Sequence, residues 1–366
     1  MNQTILNLST NVDVSKQPMF FGEPLGLSRT DKMRYPIFKR LTDEQNKNYW
    51  QPHDINLEKD KTQYKNLPDN IKHMMNSNIG YQTLLDTVQS RATIEAFLPW
   101  VSCPELERCI QSWAYFEAIH NDSYQWILKN IHLDPSVFFD DILKNEDIVI
   151  RANSILKYYD EFISFSNKVK VFGYTDELTL FEHKRLIYRA MVSVYALESI
   201  RFYVSFATTF AIAEQGWMTG NADEMKLIQR DEALHVGISL NILRFWPKED
   251  DDFKKIAHDE ANTVLEIFQE VVAEEKAFAK YIYKFGAILG QNEELTGQYL
   301  ESLANKRLKA LGLPQSFPNK NNPYGWMSKW VATEDEQKAP QEVEIDSYKV
   351  SAMNVNVSDK DVMIDF

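Results

Sequence analysis

The sequence predicts an all-α bundle, and three observations lead there. Prolines leave three long stretches untouched, 105–134, 136–246 and 248–313, and an interior proline would have broken a helix in any of them. Within these stretches apolar residues recur every three or four positions, as in Ile187, Met191, Val194 and Leu197, the period of a helix with one buried face. No segment alternates apolar and polar residues for long enough to demand a sheet.

The elements follow in order. A first helix is expected over about 35–48. Leu67-Pro68-Asp69 reads as the first turn of a second helix that runs to about Ser90, because proline is tolerated where the N–H has no intrahelical partner. Pro104 plays the same part for a helix from 102–105 to about Asn130, and Asp134-Pro135-Ser136 opens a short one. Further helices are expected over roughly 145–171, 176–215, 221–245, 250–286 and 292–311. The most apolar stretch, 202–213, is 12 residues long. A membrane span needs about 20, so it reads as a buried core helix. The stretch 333–366 begins TEDEQK, lacks helical period and reads as a flexible tail, yet it closes on apolar Val362, Met363, Ile364 and Phe366, which suggests a docking segment.

The 366 residues are 44% apolar and 25% charged, enough for a substantial core. A formal charge of -13 argues against nucleic-acid and anionic-membrane partners, which require clustered Lys and Arg. The N-terminus has no basic start followed by an apolar core, so no secretory signal is expected and the cytoplasm is the expected compartment. Cys103 and Cys109 on one helix would stand about 9 Å apart along its axis, too far for a disulfide. Free thiols suit a reducing compartment.

Two histidines follow a glutamate by three residues, in Glu117-Ala-Ile-His120 and Glu232-Ala-Leu-His235. On a helix these positions share a face, so each pair offers one carboxylate oxygen and one imidazole nitrogen to a single ion. A four-helix metal site also takes one carboxylate from each of two other helices, and Asp86 and Glu198 stand inside apolar helical segments. The plain alternatives are an ion pair of Glu198 with Arg201 and a solvent-facing Asp86. Spacing favours the metal reading: 31 residues separate Asp86 from Glu117, and 34 separate Glu198 from Glu232. The chain thus repeats a unit of helix with an acid, connection, and helix with an acid and a histidine. Antiparallel packing within each unit would bring its ligands level. Four carboxylates and two imidazoles suit iron or manganese better than zinc, and their charge matches two divalent ions. No HExxH, GxxxxGK[ST] or GxGxxG motif is present.

These residues, together with Gln17-Pro-Met-Phe-Phe-Gly22, Tyr81-Gln-Thr-Leu-Leu-Asp86, Arg201-Phe-Tyr-Val-Ser-Phe206 and Ala339-Pro-Gln-Glu-Val-Glu344, resemble the radical-generating small (β) subunit of class I ribonucleotide reductase, particularly its class Ia form. The resemblance covers nearly the whole chain. It implies a ferritin-like helical bundle with additional helices over 31–332, an N-terminal segment 1–30, and a tail 333–366 that docks to a large subunit. It implies that Asp86, Glu117, His120, Glu198, Glu232 and His235 ligate two irons, manganese being the less favoured metal, and that O2 activation oxidises Tyr124 to a radical. Phe202, Phe206 and Ile228 match the family's apolar pocket around that radical. Trp50, Asp231 and, in the tail, Tyr348 match its relay to the large subunit, with Glu342 a tail acid and Arg230 a neighbour of the relay. A homodimer in the cytoplasm, or in the host cytoplasm for a viral chain, is implied as well.

Tyr124 stands four residues after His120, hence on the same helix face and about 6 Å farther along. Read without the family it would be a core filler, Trp50 a core or rim aromatic, and Tyr348 an exposed tail residue. Two departures from the family pattern are visible: 165–182 is shorter than in forms with an inserted hairpin, and Asn121-Asp122-Ser123 replaces a more basic stretch. The alternatives are a di-iron oxygenase acting on a small molecule and an iron-storage bundle. Tyr124 and the tail tyrosine speak against both.

Overall fold

The computed structural model describes residues 4–331. Tyr348, Glu342 and the apolar end of the chain lie outside the described residues. No strand occurs among the described residues, apart from isolated bridges such as Phe20 with Val101. No described helix is long and apolar enough to cross a membrane.

The chain opens with an irregular segment whose Met19 and Phe20 are buried. Glu249 anchors it, accepting from the Met19 N–H (2.6 Å) and from the Tyr35 hydroxyl. Helix α1 (Pro36–Lys47) starts on its proline and buries Phe38, Leu41, Thr42 and Gln45, a single stripe at helical spacing. Helix α2 (Glu58–Asn66) has no counterpart among the sequence expectations, because its polar sequence EKDKTQYKN carries no apolar stripe. Docking holds it instead: its Asp60 is buried and accepts from the Gly220 and Asn221 N–H groups (3.1 and 2.7 Å). It thereby caps a helix 160 residues away in the chain.

Helices α3 (Asp69–Ala92) and α4 (Pro104–Ile131) form the first long antiparallel pair, joined through a π segment, Thr93–Phe97, and a 3-10 turn. After α5 (Pro135–Ile142), α6 (Glu146–Phe172) ends at Gly173, whose φ of +73° suits the residue without a Cβ. A short connection then leads to Thr179, which caps the next helix through the Glu182 N–H (3.0 Å), and no hairpin stands between them.

The expected helix 176–215 is one rod in three parts: α7 (Leu180–Ala196), a π segment Leu197–Arg201, and α8 (Phe202–Glu214). Every residue of α8 except its last is buried, as expected of a core helix. Helix α9 (Thr219–Glu249) returns antiparallel to it. The expected helix 250–286 breaks into α10 (Asp251–Asp259) and α11 (Ala261–Ile282). The break is Glu260, at φ -87° and ψ 2°, whose carboxylate is clamped by Arg189 of α7 (2.7 and 3.0 Å). A long-range bidentate pair thus takes hold at a point where local periodicity shows no interruption. Helix α12 (Glu293–Ala310) and the short α13 (Ser328–Val331) complete the described chain.

The α3, α4, α7–α8 and α9 helices surround the site described next. Cys103 and Cys109 are buried, unlinked thiols.

Candidate metal centre

Six side chains converge between these helices, all fully buried: Asp86 from α3, Glu117 and His120 from α4, Glu198 from the π segment, and Glu232 and His235 from α9. They form two overlapping sets, and in each the possible ligand atoms lie within 4.8 Å of one another. One set is Asp86, Glu117, His120 and Glu232; the other is Glu117, Glu198, Glu232 and His235. Glu117 and Glu232 belong to both. Two acids shared between two four-residue sets is the arrangement that bridges a pair of ions.

The imidazoles face inward through Nδ1. His120 Nδ1 lies 3.1 Å from Glu232 Oε1, 3.5 Å from Glu117 Oε2 and 3.8 Å from Asp86 Oδ2. His235 Nδ1 lies 3.0 Å from both Glu117 Oε1 and Glu232 Oε2. Among the described residues, the ion pairs to these carboxylates come from His120 and His235 alone. Four buried acids therefore face one another with two imidazoles as their only cationic partners, a costly arrangement in a water-free interior.

Titration responds accordingly. Burial, reinforced by Glu117 and Glu232, pushes the Asp86 carboxyl well above the usual carboxylate range, and burial with Glu232 does the same to Glu198. Glu232 goes the other way: against the raising effect of burial, contacts from Glu198, His235 and His120 hold it low. Burial alone would lower His235, but Glu117 and Glu232 raise it to about 9. Several ligand-type atoms have no hydrogen-bond partner, namely both Asp86 oxygens, Glu117 Oε2, Glu198 Oε2, Glu232 Oε1, His120 Nδ1 and His235 Nε2. Orphaned oxygens converging in an anionic, oxygen-rich pocket fit two hard divalent cations.

Tyr124, one turn beyond His120 on α4, is buried beside Asp86 without a hydrogen bond of normal geometry. Burial first, and the Asp86 carboxylate second, hold its phenol well above the ordinary value. Phe202, Phe206 and Ile228 are fully buried, with the two phenyl rings 6.0 Å apart. On the other side of His120, Asp231 Oδ2 lies 3.4 Å from Nε2 and accepts from the Trp50 indole N–H (2.7 Å). Trp50 is a core residue. Arg230 donates to the Asn48 carbonyl (2.5 Å), two residues before Trp50, and lies 3.4 Å from Asp231 Oδ1. The plain alternatives are not realised: Asp86 is buried, and Arg201 pairs with Glu274 (2.7 Å) and Glu275 (3.3 Å) instead of Glu198. In the stretch that departs from the family pattern, Asn121 accepts from Thr87 (3.2 Å) and Ser123 donates to the Ile119 carbonyl (2.9 Å).

Sequence reasoning misses three residues that support the cluster. The Trp113 indole N–H donates to Glu117 Oε1 (2.8 Å). The Gln89 amide donates to Glu198 Oε1, and its carbonyl accepts from the Tyr159 hydroxyl (2.7 Å). Trp113 and Gln89 carry a local signal, one turn from Glu117 and Asp86 respectively. Tyr159 arrives from the distant α6 and carries none.

The family model described as "Ribonucleotide reductase, small chain" matches residues 29–323. The ribonucleoside-diphosphate reductase subunit beta of Buchnera aphidicola subsp. Baizongia pistaciae is 40% identical over 355 residues, covering 94% of each chain. Ribonucleoside-diphosphate reductase 1 subunit beta of Escherichia coli O157:H7 is 40% identical over 96% of each chain. Among solved structures, the ribonucleotide reductase R2 subunit from Clostridium botulinum superposes with a TM-score of 0.78 at 23% identity, covering 90% of this chain and 98% of that one. The dimanganese(II)-NrdF of Streptococcus sanguinis gives 0.61 at 21% identity, covering 83% and 98%. The last two likenesses establish the shared helical fold.

Proposed function

The chain belongs to the ribonucleotide reductase small-chain family, and we propose from that premise that it is the radical-generating partner in a ribonucleoside-diphosphate reductase, with Asp86, Glu117, His120, Glu198, Glu232 and His235 holding two metal ions. The observation that carries the assignment is the pair of four-residue ligand sets sharing Glu117 and Glu232, with Tyr124 buried against Asp86. Iron is the metal proposed; manganese suits the same donors, and metal analysis of the purified protein distinguishes them. The bound pair, with O2, supplies the oxidising power.

The chain's own residues do the rest. Tyr124 gives up an electron and its phenolic proton, Asp86 being the nearest acceptor for that proton. Phe202, Phe206 and Ile228 exclude water and small reductants from the resulting radical. Asp231 fixes the His120 ring by facing Nε2, which leaves Nδ1 to the metal. Trp50, bonded to the same Asp231 oxygen, begins the path outward, and Tyr348 continues it to a separate large subunit where ribonucleotides are reduced. The working assembly pairs a homodimer of this chain with that subunit, docked by the C-terminal tail, in the cytoplasm.

The test adds Fe(II) and O2 to the metal-free protein and records the electron paramagnetic resonance spectrum. The expected result is about two irons per chain and a tyrosyl signal that Tyr124→Phe abolishes. Well-folded protein that takes up no iron would defeat the assignment, and a signal that survives Tyr124→Phe would move the radical to another tyrosine.

A further inference from the structure

The four carboxylates of the cluster are not held alike. Glu117 accepts from the Trp113 indole and lies 3.0 Å from His235 Nδ1, while Glu232 Oε2 is hydrogen-bonded to His235 Nδ1 and Glu232 Oε1 lies 3.1 Å from His120 Nδ1. Both oxygens of Asp86 are without a hydrogen bond. Glu198 alone meets a side-chain amide and no imidazole: Oε1 accepts from Gln89, while Oε2 has no hydrogen-bond partner. Gln89 is itself fixed. Its carbonyl oxygen accepts the Tyr159 hydroxyl at 2.7 Å, so its N–H points at Glu198 and cannot exchange places with the oxygen without setting a carbonyl against a carboxylate. Its backbone is held as well, the Thr93 hydroxyl donating to the Gln89 carbonyl (2.8 Å) where α3 widens into its π segment. Gln89 and Tyr159 are both buried, and the Phe97 ring, from that π segment, lies 5.8 Å from the Tyr159 ring.

From this geometry we infer that Gln89 and Tyr159 are positioning residues that restrict Glu198 to one metal-binding oxygen, Oε2. The inference rests on Glu198 being a ligand, as proposed above. Tyr159 orients the amide, the amide occupies Oε1 in a charge-assisted hydrogen bond, and Oε2 is left for an ion. Glu198 belongs to only one of the two ligand sets, so Gln89 and Tyr159 act on one ion of the pair. Asp86, which belongs to the other set, has no comparable amide on either oxygen and faces Tyr124 and His120 instead. The two metal positions are thereby made unequal by residues that touch neither ion.

The experiment titrates metal-free protein with Co(II), whose visible spectrum reports coordination number, in wild type, Gln89→Met and Tyr159→Phe. Circular dichroism checks the fold of each variant. Wild type is expected to bind two Co(II) per chain. Gln89→Met keeps the length of the side chain but removes the donor; it should weaken the ion that Glu198 holds about 10- to 100-fold, the usual effect of removing a ligand's hydrogen-bond partner. It should also alter that ion's spectrum as Oε1 becomes free to bind, and leave the other ion unchanged. Tyr159→Phe loses only a hydroxyl and should act in the same direction by about two- to tenfold. That smaller change provides the test should Gln89→Met fail to fold. Lower thermal stability with wild-type affinity and spectrum at both positions would reduce the two residues to packing and overturn the inference. Wild-type protein that binds fewer than two Co(II) would instead overturn the di-metal reading on which it rests.

Discussion

Tyr124→Phe should cost the protein its radical and almost none of its stability. The Tyr124 hydroxyl is fully buried, and its contact with the Asp86 carboxyl falls outside normal hydrogen-bond geometry, so it is poorly paired. A buried, unpaired polar group costs about 1–3 kcal/mol. Removing the oxygen recovers that cost, less about 1 kcal/mol of packing energy forfeited around the small void it leaves. Metal-free Tyr124→Phe should therefore be about 0–2 kcal/mol more stable than wild type in urea denaturation. Tyr81→Phe is the matched control on α3, equally buried, because the Tyr81 hydroxyl donates to Glu275 inside a buried network with Arg201. Losing that bond to a charged group should cost about 1.5–3 kcal/mol. The two variants should thus differ by about 1.5–5 kcal/mol in stability and in the opposite order in function. Tyr81→Phe keeps the tyrosyl signal after iron and O2; Tyr124→Phe loses it. If Tyr124→Phe proves as destabilised as Tyr81→Phe, its hydroxyl is paired in the metal-free protein and the reasoning from an idle phenol is refuted.

Glu232 belongs to both ligand sets and Glu198 to one, so Glu232→Ala should abolish most binding of both irons, whereas Glu198→Ala should retain about one iron per chain; equal losses by metal analysis would count against shared bridging. His183 is a buried histidine whose ring nitrogens contact Ser166 (2.8 Å) and Tyr174 (3.1 Å), and burial, aided by Lys170, lowers its pKa to about 3. Its unfolded value near 6.5 means that the unfolded chain takes up a proton that the folded chain refuses. Stability should accordingly fall as pH drops from about 6.5 toward 3, with a contribution of about 1.4 kcal/mol per pH unit. His183→Gln should flatten that part of the stability profile, and an unchanged slope would assign the acid sensitivity elsewhere. Tyr348→Phe should leave iron loading and the Tyr124 signal intact while stopping turnover with the large subunit, because phenylalanine cannot give up a phenolic proton and electron; full turnover by that variant would remove Tyr348 from the relay.

Much of this protein could be read from its one-dimensional order because the relevant geometry is local. Glu117 with His120, and Glu232 with His235, share a helix face by spacing alone, and the proline-free periodic stretches outline most of the helices. Asp86 and Glu198 stood out as acids among apolar neighbours, where a lone charge is costly. Tertiary structure decided what those charges meet. Arg201, three residues after Glu198, turns to Glu274 and Glu275 on α11, and so leaves Glu198 to the cluster. The polar α2 exists because Asp60 finds the open N–H groups of α9, and the helix break at Glu260 falls where Arg189 reaches it. Asp231 could be matched to a family position, but its hydrogen bond with Trp50 joins residues 181 apart. Tyr159 comes to Gln89 from 70 residues away with no sequence mark at all. A helix dictates which of its own residues share a face. The partner across that face is chosen by packing, and in a dry interior each buried polar group must find one wherever in the chain it lies.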